Sequence, residues 1–531
     1  MNGARMIVDT LIEEGVEVLF GYPGGAVLPI YDALYERRER ITHVLTCHEQ
    51  GAAHAADGYA RAARRPGVVL ATSGPGATNL VTGIATAYMD STPLVALTGN
   101  VPLALLGRDS FQEVDIAGVT MPITKYNCIV KSPDMIRAGV RDAFAIARSG
   151  RPGPVLVDIP RDIAEAPCGA QCEKFHSPGV PVFSGREADE FARALARARR
   201  PVLLVGGGVV ADGAGVTAAM LAERLGAPVC ATLMGLGALP WDHPLFLGML
   251  GRHGLPEANR AVEACDLLLA VGTRFTERAA EDRRQFAGQA KIFHIDIDPA
   301  EINKNIPADA ALCGRAGAVM EALLARLPTA PREPWGAAFT PFARRAFPEP
   351  GTPRALIHTL WRLRTPGMTV VTDVGQHQMW TAQTYGFSRP GELITSGGLG
   401  AMGFGLGAAI GVAMARPGRR VALVTGDASL RMNIAELATA AALRLPISIF
   451  VLDNAGLGLV RQLQDEHCGG RRFAVAPGLR TDWVRLAEAL GARGLSVDGA
   501  DGSTPEAVIR EALTAEGPCL THCPVDPACN A

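Results

Sequence analysis

The stretch VALVTGDASLRMNIAELATAAALRLPISIFVLDN, residues 421–454, decides the reading of the fold. It opens on an apolar run, 421–425, turns polar at Gly426-Asp427-Ala428-Ser429, and passes through a helical stretch. It then re-enters an apolar run, 447–452, that ends in Asp453-Asn454. Runs with almost no polar alternation read as strands buried on both faces of a parallel sheet. Asp427 and Asn454 lie 454 − 427 = 27 residues apart, the length of a helix plus a strand. That spacing predicts both side chains at the carboxyl ends of neighbouring strands, where α/β sheets bind ligands. A carboxylate and an amide oxygen there suit a hard divalent cation such as Mg²⁺, with phosphate oxygens completing its shell. Either residue alone fits better as a polar loop residue capping a helix; only the pair points to metal.

Working outward, the same pattern recurs at 68–72, 154–159, 201–205, 267–271 and 369–372, each run followed by a longer helical stretch. The expected class is α/β, with three doubly wound parallel-sheet domains. Residues 1–20 read as a helix followed by a short strand. Two breaks divide the chain: 167–181 is irregular, and 328–353 holds seven prolines, as an extended linker would. The predicted domains are 1–170, 185–327 and 353–531, in keeping with a chain of 531 residues.

Composition excludes several classes. Lys and Arg total 51 against 53 Asp and Glu, a net charge of −2, so bulk charge gives no hold on nucleic acid or an anionic membrane. Apolar residues at 48% and charged residues at 20% are a folded globular composition. The longest uncharged apolar stretch, near 401–415, is short and glycine-rich, so no membrane span is expected. No secretory leader is read at the start. The 11 cysteines are scattered; Cys168/Cys172 and Cys519/Cys523 are the close pairs, and neither has a second pair at metal-site spacing. Reduced thiols and a cytoplasmic location are expected.

Several loops carry chemistry. Gly375-Gln376-His377-Gln378 follows the run 369–372. Gly398 to Gly403 fits G-x-G-x-x-G, weak by itself, and lacks the acidic residue a nicotinamide site wants. With Asp427 ahead of a helix, it reads as part of a diphosphate site. In the first domain, Gly21-Tyr22-Pro23-Gly24-Gly25 and Ser73-Gly74-Pro75-Gly76 each follow a strand. Between them, Glu49 opens a helix, 49–60, whose Ala and Gly positions permit very close packing. By itself Glu49 is equally well a charge at a helix N-terminus.

Taken together and in order, His48-Glu49-Gln50-Gly51-Ala52, the Gly-Pro-Gly loop, Gly375-Gln376-His377-Gln378-Met379-Trp380 and the Gly-Asp-Ala…Asp-Asn pair resemble thiamine-diphosphate enzymes, most closely the catalytic subunits of acetolactate (acetohydroxyacid) synthases. The resemblance covers nearly the whole chain. It implies a pyrimidine-binding domain, a central domain and a diphosphate-binding domain. It implies a homodimer or tetramer in which Glu49 of one chain faces the diphosphate site of another and hydrogen-bonds the aminopyrimidine of thiamine diphosphate. Asp427, Asn454 and the Gly456 carbonyl would ligate Mg²⁺. Gly375, Gln376, His377, Gly398, Gly426, Ala428 and Ser429 would line the cofactor, and Met402 would prop it into a bent shape. Ala428 replaces the commoner second glycine of Gly-Asp-Gly, at little cost where its φ is negative.

The resemblance further implies a non-redox FAD in the central domain, near Gly206, Gly207, Thr232, Leu233, Gly251, His253, Gly272, Arg274, Asp296 and Ile297, with Arg151 as another contact. Phe111 and Gln112 resemble residues facing the reacting carbon. Arg278 resembles the group that recognises the second substrate's carboxylate, and Lys125 one that lines the same channel. Arg252 stands where relatives usually carry Met, Leu463 where they carry Trp, and the chain stops without the longer tail of many relatives. The expected activity decarboxylates pyruvate and joins the two-carbon unit to a second 2-oxo acid, chiefly pyruvate rather than 2-oxobutyrate. A related carboligase or 2-oxo acid decarboxylase, or a silent paralogue acting as a binding protein, are the alternatives. A small regulatory subunit is a further partner left open, as is an anabolic or catabolic role.

Overall fold

The apolar runs become the inner strands of three parallel sheets in the computed structural model, which describes residues 1–169, 183–280, 286–476, 478–499 and 502–531. The first sheet holds β1 (Val18–Tyr22), β2 (Thr42–Leu45), β3 (Gly67–Ala71), β4 (Leu94–Asn100), β5 (Tyr126–Ile129) and β6 (Pro154–Pro160), in the order β2-β1-β3-β4-β6-β5. The second holds β7 (Pro201–Val205), β8 (Val229–Ala231), β9 (Phe246–Met249), β10 (Leu267–Val271), β11 (Lys291–Asp296) and β12 (Ala310–Cys313), in the order β12-β11-β10-β7-β8-β9. The third holds β13 (Thr369–Thr372), β14 (Leu393–Ile394), β15 (Val421–Gly426), β16 (Ile447–Asp453), β17 (Arg493–Ser496) and β18 (Cys519–Pro524), in the order β14-β13-β15-β16-β18-β17.

The first and third sheets share one topology. Each winds one way from its first strand and then the other, reversing between β1 and β3 and between β13 and β15. The second sheet differs: counted in its own strands from the β9 edge it runs 3-2-1-4-5-6, the dinucleotide-binding order, with its reversal between β7 and β10.

The described residues fall into two compact units. One comprises those of Met1–Pro178, Thr365–His377 and Ile394–Asn530; the other, those of Gly179–Arg364 and Gln378–Leu393. In the first unit, the first sheet buries Leu19, Leu70, Leu97 and Val157 on one face, under the helices Gly3–Glu13 and Ile136–Arg148. Its other face buries Phe20, Val69 and Ala96 in a core continuous with Leu423 and Ile449 of the third sheet. Two helices join these halves, Glu49–Ala63 and Phe404–Ala415. Their small residues allow near contact of backbones: a methyl group on Gly411 would lie 1.9 Å from the Ala55 carbonyl oxygen, and one on Gly58 2.2 Å from that of Ala408. The close packing expected of the Ala/Gly helix is therefore present, and its partner is the glycine-rich segment near 401–415.

The proline-rich segment is not a free spacer. It lacks strands and α-helix up to Pro353, yet Trp335 donates its indole N–H to the Pro201 carbonyl at 2.7 Å and packs edge-on against Phe339. This holds the segment along β7 as a strap. The irregular break expected at 167–181 lies, from residue 170 onward, outside the described residues. Among the described residues, no helix is long and apolar enough to cross a membrane, and the ten cysteines are free thiols.

Candidate functional site

Loops gather where the first sheet reverses direction. The Thr72 side chain, at the end of β3, would lie 2.5 Å from a methyl group on Gly24, and its Oγ1 accepts the Ala26 N–H at 3.3 Å. Gly74 has φ +59° and a side chain there would strike the Gln112 backbone, so only glycine fits. Gln112 is itself left-handed, at φ 58°, in a loop whose amides at Gly107, Arg108 and Ser110 all donate to the Glu113 carboxylate. The neighbouring Phe111 stands out at 88% exposure.

Glu49 sits beside this cluster as the first residue of its helix, with the His48 imidazole capping the Gln50 N–H. It is 8% exposed. Asn79 donates to its Oε2 at 2.9 Å, and its Oε1 would lie 3.1 Å from a methyl group on Gly76. The helix start is held from the third-sheet half of the unit. Glu436, 1% exposed, accepts from the Cys47 N–H (3.1 Å), the His48 N–H (3.0 Å) and the Thr439 hydroxyl (2.9 Å). Its carboxylate fills the space a side chain on Gly51 would need, 2.2 Å away. Burial raises the Glu436 pKa, against these three donors.

In the third sheet, Gly375, Gln376 and His377 follow β13, Asp427 follows β15 and Asn454 follows β16, side by side in the strand order. Asn454 is oriented at both ends of its amide: Nδ2 donates to Gln376 Oε1 at 3.0 Å and Oδ1 accepts the Gly456 N–H at 3.1 Å. Gln376 in turn donates to the Cys529 carbonyl at 3.0 Å. A side chain on Gly458 would fall 2.0 Å from Gln376 Oε1, and one on Gly426 2.9 Å from His377 Nδ1, so both glycines keep the backbone open around these groups. Burial pushes His377 down to about 3, which leaves a neutral imidazole at neutral pH. Ser429 donates to the Val374 carbonyl at 2.9 Å. Ala428 lies inside the helix Asp427–Met432 and is not among the residues of positive φ, so the missing glycine costs nothing.

The glycine run departs from the sequence expectation. Its amides are already satisfied by the chain's own groups. Asp90 accepts from Gly397 (3.2 Å) and Gly398 (2.7 Å), Asp373 from Gly403 (2.9 Å) and Gly405 (3.2 Å), and Ser396 Oγ from Gly400 and Ala401 at 3.1 Å each. Arg61 joins Asp57 (2.7 Å), Asp90 (2.9 Å) and the Thr395 carbonyl (2.8 Å) behind it. The anion at these helix-start amides is a carboxylate, not a diphosphate. Met402 stands half-buried in the same loop.

Other sequence candidates lie elsewhere. Lys125 donates to the Ile146 and Ser149 carbonyls, both at 2.5 Å, at the end of the helix Ile136–Arg148. Arg151 donates to Ser91 Oγ at 2.8 Å and the Tyr88 carbonyl at 3.4 Å. In the second unit, Gly206 and Gly208 press on Gly272 across the reversal between β7 and β10: a methyl group on Gly206 would lie 2.1 Å from the Gly272 oxygen. Gly207 faces Met234, next to Thr232 and Leu233. Asp296 ends β11 and accepts the Asp298 N–H at 2.9 Å, with Ile297 between them. Gly251, at φ +111°, abuts the Arg278 carbonyl, and Gln383 donates to the His253 carbonyl at 3.0 Å. Asn305 donates to the Arg274 carbonyl at 2.8 Å.

Three family descriptions match along the chain: the thiamine pyrophosphate enzyme N-terminal TPP binding domain over residues 1–119, the central domain over 188–323, and the C-terminal TPP binding domain over 373–523. The chain is 44% identical to a probable acetolactate synthase large subunit of Methanocaldococcus jannaschii, over 99% of this chain and 92% of that protein. It is 43% identical to the acetolactate synthase isozyme 2 large subunit of Escherichia coli K12, over 99% and 96%, and 44% identical to that of isozyme 3, over 94% and 90%. The chain belongs to the acetolactate synthase large-subunit family of thiamine pyrophosphate enzymes.

The family's metal and diphosphate fit the residues present. Asp427 and Asn454 offer hard oxygen donors beside a backbone kept open by Gly426 and Gly458. Among the described residues, no group of three or more His, Cys, Asp and Glu gathers to hold a metal. Sequence reading missed Asn79, Asp90, Asp373, Arg431 and Glu436. Asn79 shares a short helix, Pro75–Asn79, with the Gly-Pro-Gly loop and was within reach of that signal. Asp90, Asp373 and Glu436 act on distant segments or on backbone amides, which leaves no local pattern, whereas Arg431 pairs with Asp427 four residues earlier on the same helix.

Proposed function

We propose that this chain is the catalytic subunit of an acetolactate synthase, which decarboxylates pyruvate and joins the two-carbon unit to a second 2-oxo acid. The observation that carries the reading is the pairing, in one compact unit, of a buried, Asn79-oriented Glu49 with an Asp427/Asn454 pair at the carboxyl ends of adjacent strands. Thiamine diphosphate, when bound, supplies a nucleophilic carbon and accepts the electron pair released with CO₂. Glu49 holds and returns a proton at the aminopyrimidine, with Asn79 fixing the direction of its carboxylate. Asp427, Asn454 and the Gly456 carbonyl hold Mg²⁺, and through it the diphosphate, near Gly375, Gln376, His377, Gly426, Ala428 and Ser429. Met402 flanks the cofactor.

Phe111 and Gln112 face the reacting carbon, and Arg278 pairs with the acceptor's carboxylate, a role its planar fork of donors suits. Lys125 contributes by holding the turn at Ile146–Ser149. FAD occupies the second sheet at Gly206, Gly272, Arg274 and Asp296; the 3-2-1-4-5-6 strand order supports a dinucleotide there. The domains 1–170, 185–327 and 353–531 serve as pyrimidine-binding, central and diphosphate-binding domains. The working form is a cytoplasmic homodimer or tetramer, and the large-subunit naming of the relatives supports a small regulatory partner. The test is to incubate the purified chain with pyruvate, thiamine diphosphate and Mg²⁺ and identify the product. Acetolactate supports the reading; acetaldehyde alone would make the chain a decarboxylase.

A further inference from the structure

We propose that Arg431 is a built-in electrostatic rival of the divalent cation, a fixed positive charge on Asp427 that makes this site bind its metal weakly; the inference rests on Asp427 and Asn454 being metal ligands. Arg431 lies one helical turn beyond Asp427, and its Nη1 is 2.9 Å from Asp427 Oδ2. The two side chains are 20% and 2% exposed, so water screens the pair poorly.

The guanidinium is tied down on its other sides. Nε donates to Thr481 Oγ1 at 3.2 Å and Nη2 to the Leu479 carbonyl at 3.3 Å. Its centre lies 5.3 Å from that of the Trp483 ring, and Trp483 is itself held by its N–H to Asp453 at 2.8 Å. Arginine stays charged at any working pH. An arriving cation therefore cannot displace this charge without breaking several contacts, and Arg431 cannot neutralise itself. Asp427 then ligates through Oδ1 alone, sharing its negative charge with Arg431. Even screened to the dielectric of water, a unit charge about 5 Å from a divalent cation weakens its binding at least about tenfold relative to a neutral side chain. Arg431 is thus an affinity-setting residue for the metal rather than a ligand.

The test titrates Mn²⁺ into the full-length chain with saturating thiamine diphosphate and reads free Mn²⁺ by electron paramagnetic resonance. Arg431→Gln is expected to tighten Mn²⁺ binding at least about tenfold, with Arg431→Met as a second neutral variant, whereas Arg431→Lys stays within about threefold of the parent. Unchanged or weaker Mn²⁺ binding in the neutral variants, or a Lys variant as tight as the Gln one, would overturn the proposal. Asn454→Ala separates the two levels. If it binds Mn²⁺ like the parent, the metal assignment itself fails; if it loses Mn²⁺ while Arg431→Gln is unchanged, only the role of Arg431 fails.

Discussion

Replacing Glu436 with alanine removes the acceptor of two backbone N–H groups, Cys47 and His48, immediately before Glu49, and of the Thr439 hydroxyl. An amide left without its acceptor costs up to about 1–3 kcal/mol where water cannot replace it, and Cys47 and His48 are exposed residues, so Glu436→Ala should lose about 1–3 kcal/mol, mostly from the start of the Glu49 helix. Glu436→Gln keeps an oxygen for the two amides and turns its NH₂ toward Thr439, and should lose no more than about 1 kcal/mol. Because burial raises the Glu436 pKa, its contribution to stability is full below the ordinary carboxylate range and falls as pH rises through the raised value. The Gln variant should therefore gain on the parent with rising pH. Urea unfolding gives the stability change, and hydrogen exchange at the Cys47 and His48 amides locates it. A Glu436→Ala protein within about 0.5 kcal/mol of the parent, with unchanged exchange at those amides, would refute the reasoning.

Gly411→Ala places a methyl group 1.9 Å from the Ala55 carbonyl oxygen, so the two helices must part; a loss of about 1–3 kcal/mol in chemical denaturation is expected, larger than for Gly139→Ala in the helix Ile136–Arg148, where the added carbon meets nothing within 4 Å. Burial lowers the pKa of His43 to about 4, and of His54 and His377 to about 3, so these three are neutral in the folded chain and charge more readily when unfolded. Their contribution is present above about pH 6.5 and is withdrawn as pH falls toward 4, by up to about 1.4 kcal/mol per pH unit for each; His43→Gln should flatten the melting temperature against pH in that range. Leu463 lies half-buried in the helix Gly458–His467 and lacks a flat ring to pack on an extra methyl group. Leu463→Trp should raise the share of 2-aceto-2-hydroxybutyrate when pyruvate and 2-oxobutyrate compete, within the 1–3 kcal/mol or so that one methylene provides; an unchanged product ratio would remove Leu463 from acceptor selection.

Inner strands such as β7, β10 and β13 were legible because a parallel strand buried on both faces is largely apolar; β4, β8, β11 and β18 are also inner but were not read. The runs 201–205, 267–271 and 369–372 coincide with β7, β10 and β13, and 421–425 and 447–452 fall one residue short of β15 and β16. The edge strands β2, β5, β12, β14 and β17 were not legible, since each is partly exposed and carries polar residues such as Thr42, Asn127 and Arg493. Glu49 and the Asp427/Asn454 pair were legible because each sits beside glycines at the end of a strand or the start of a helix. Asp90 and Asp373 were not, because what they bind is backbone amide from segments 307 and 30 residues away. The glycine run therefore looked like an open anion cradle when its amides already had partners.

The central claim is that Glu49 activates thiamine diphosphate held through Asp427 and Asn454. Quenched-flow exchange of the thiazolium C2 proton for deuterium, followed by proton nuclear magnetic resonance on the Mg²⁺-loaded chain, tests it most directly. With Glu49→Gln, which keeps the size of the side chain, the cofactor should still bind while exchange slows by about 10²- to 10⁴-fold, the range for a lost acid–base group. Exchange at the parent rate in Glu49→Gln, with the cofactor fully bound, would contradict the account.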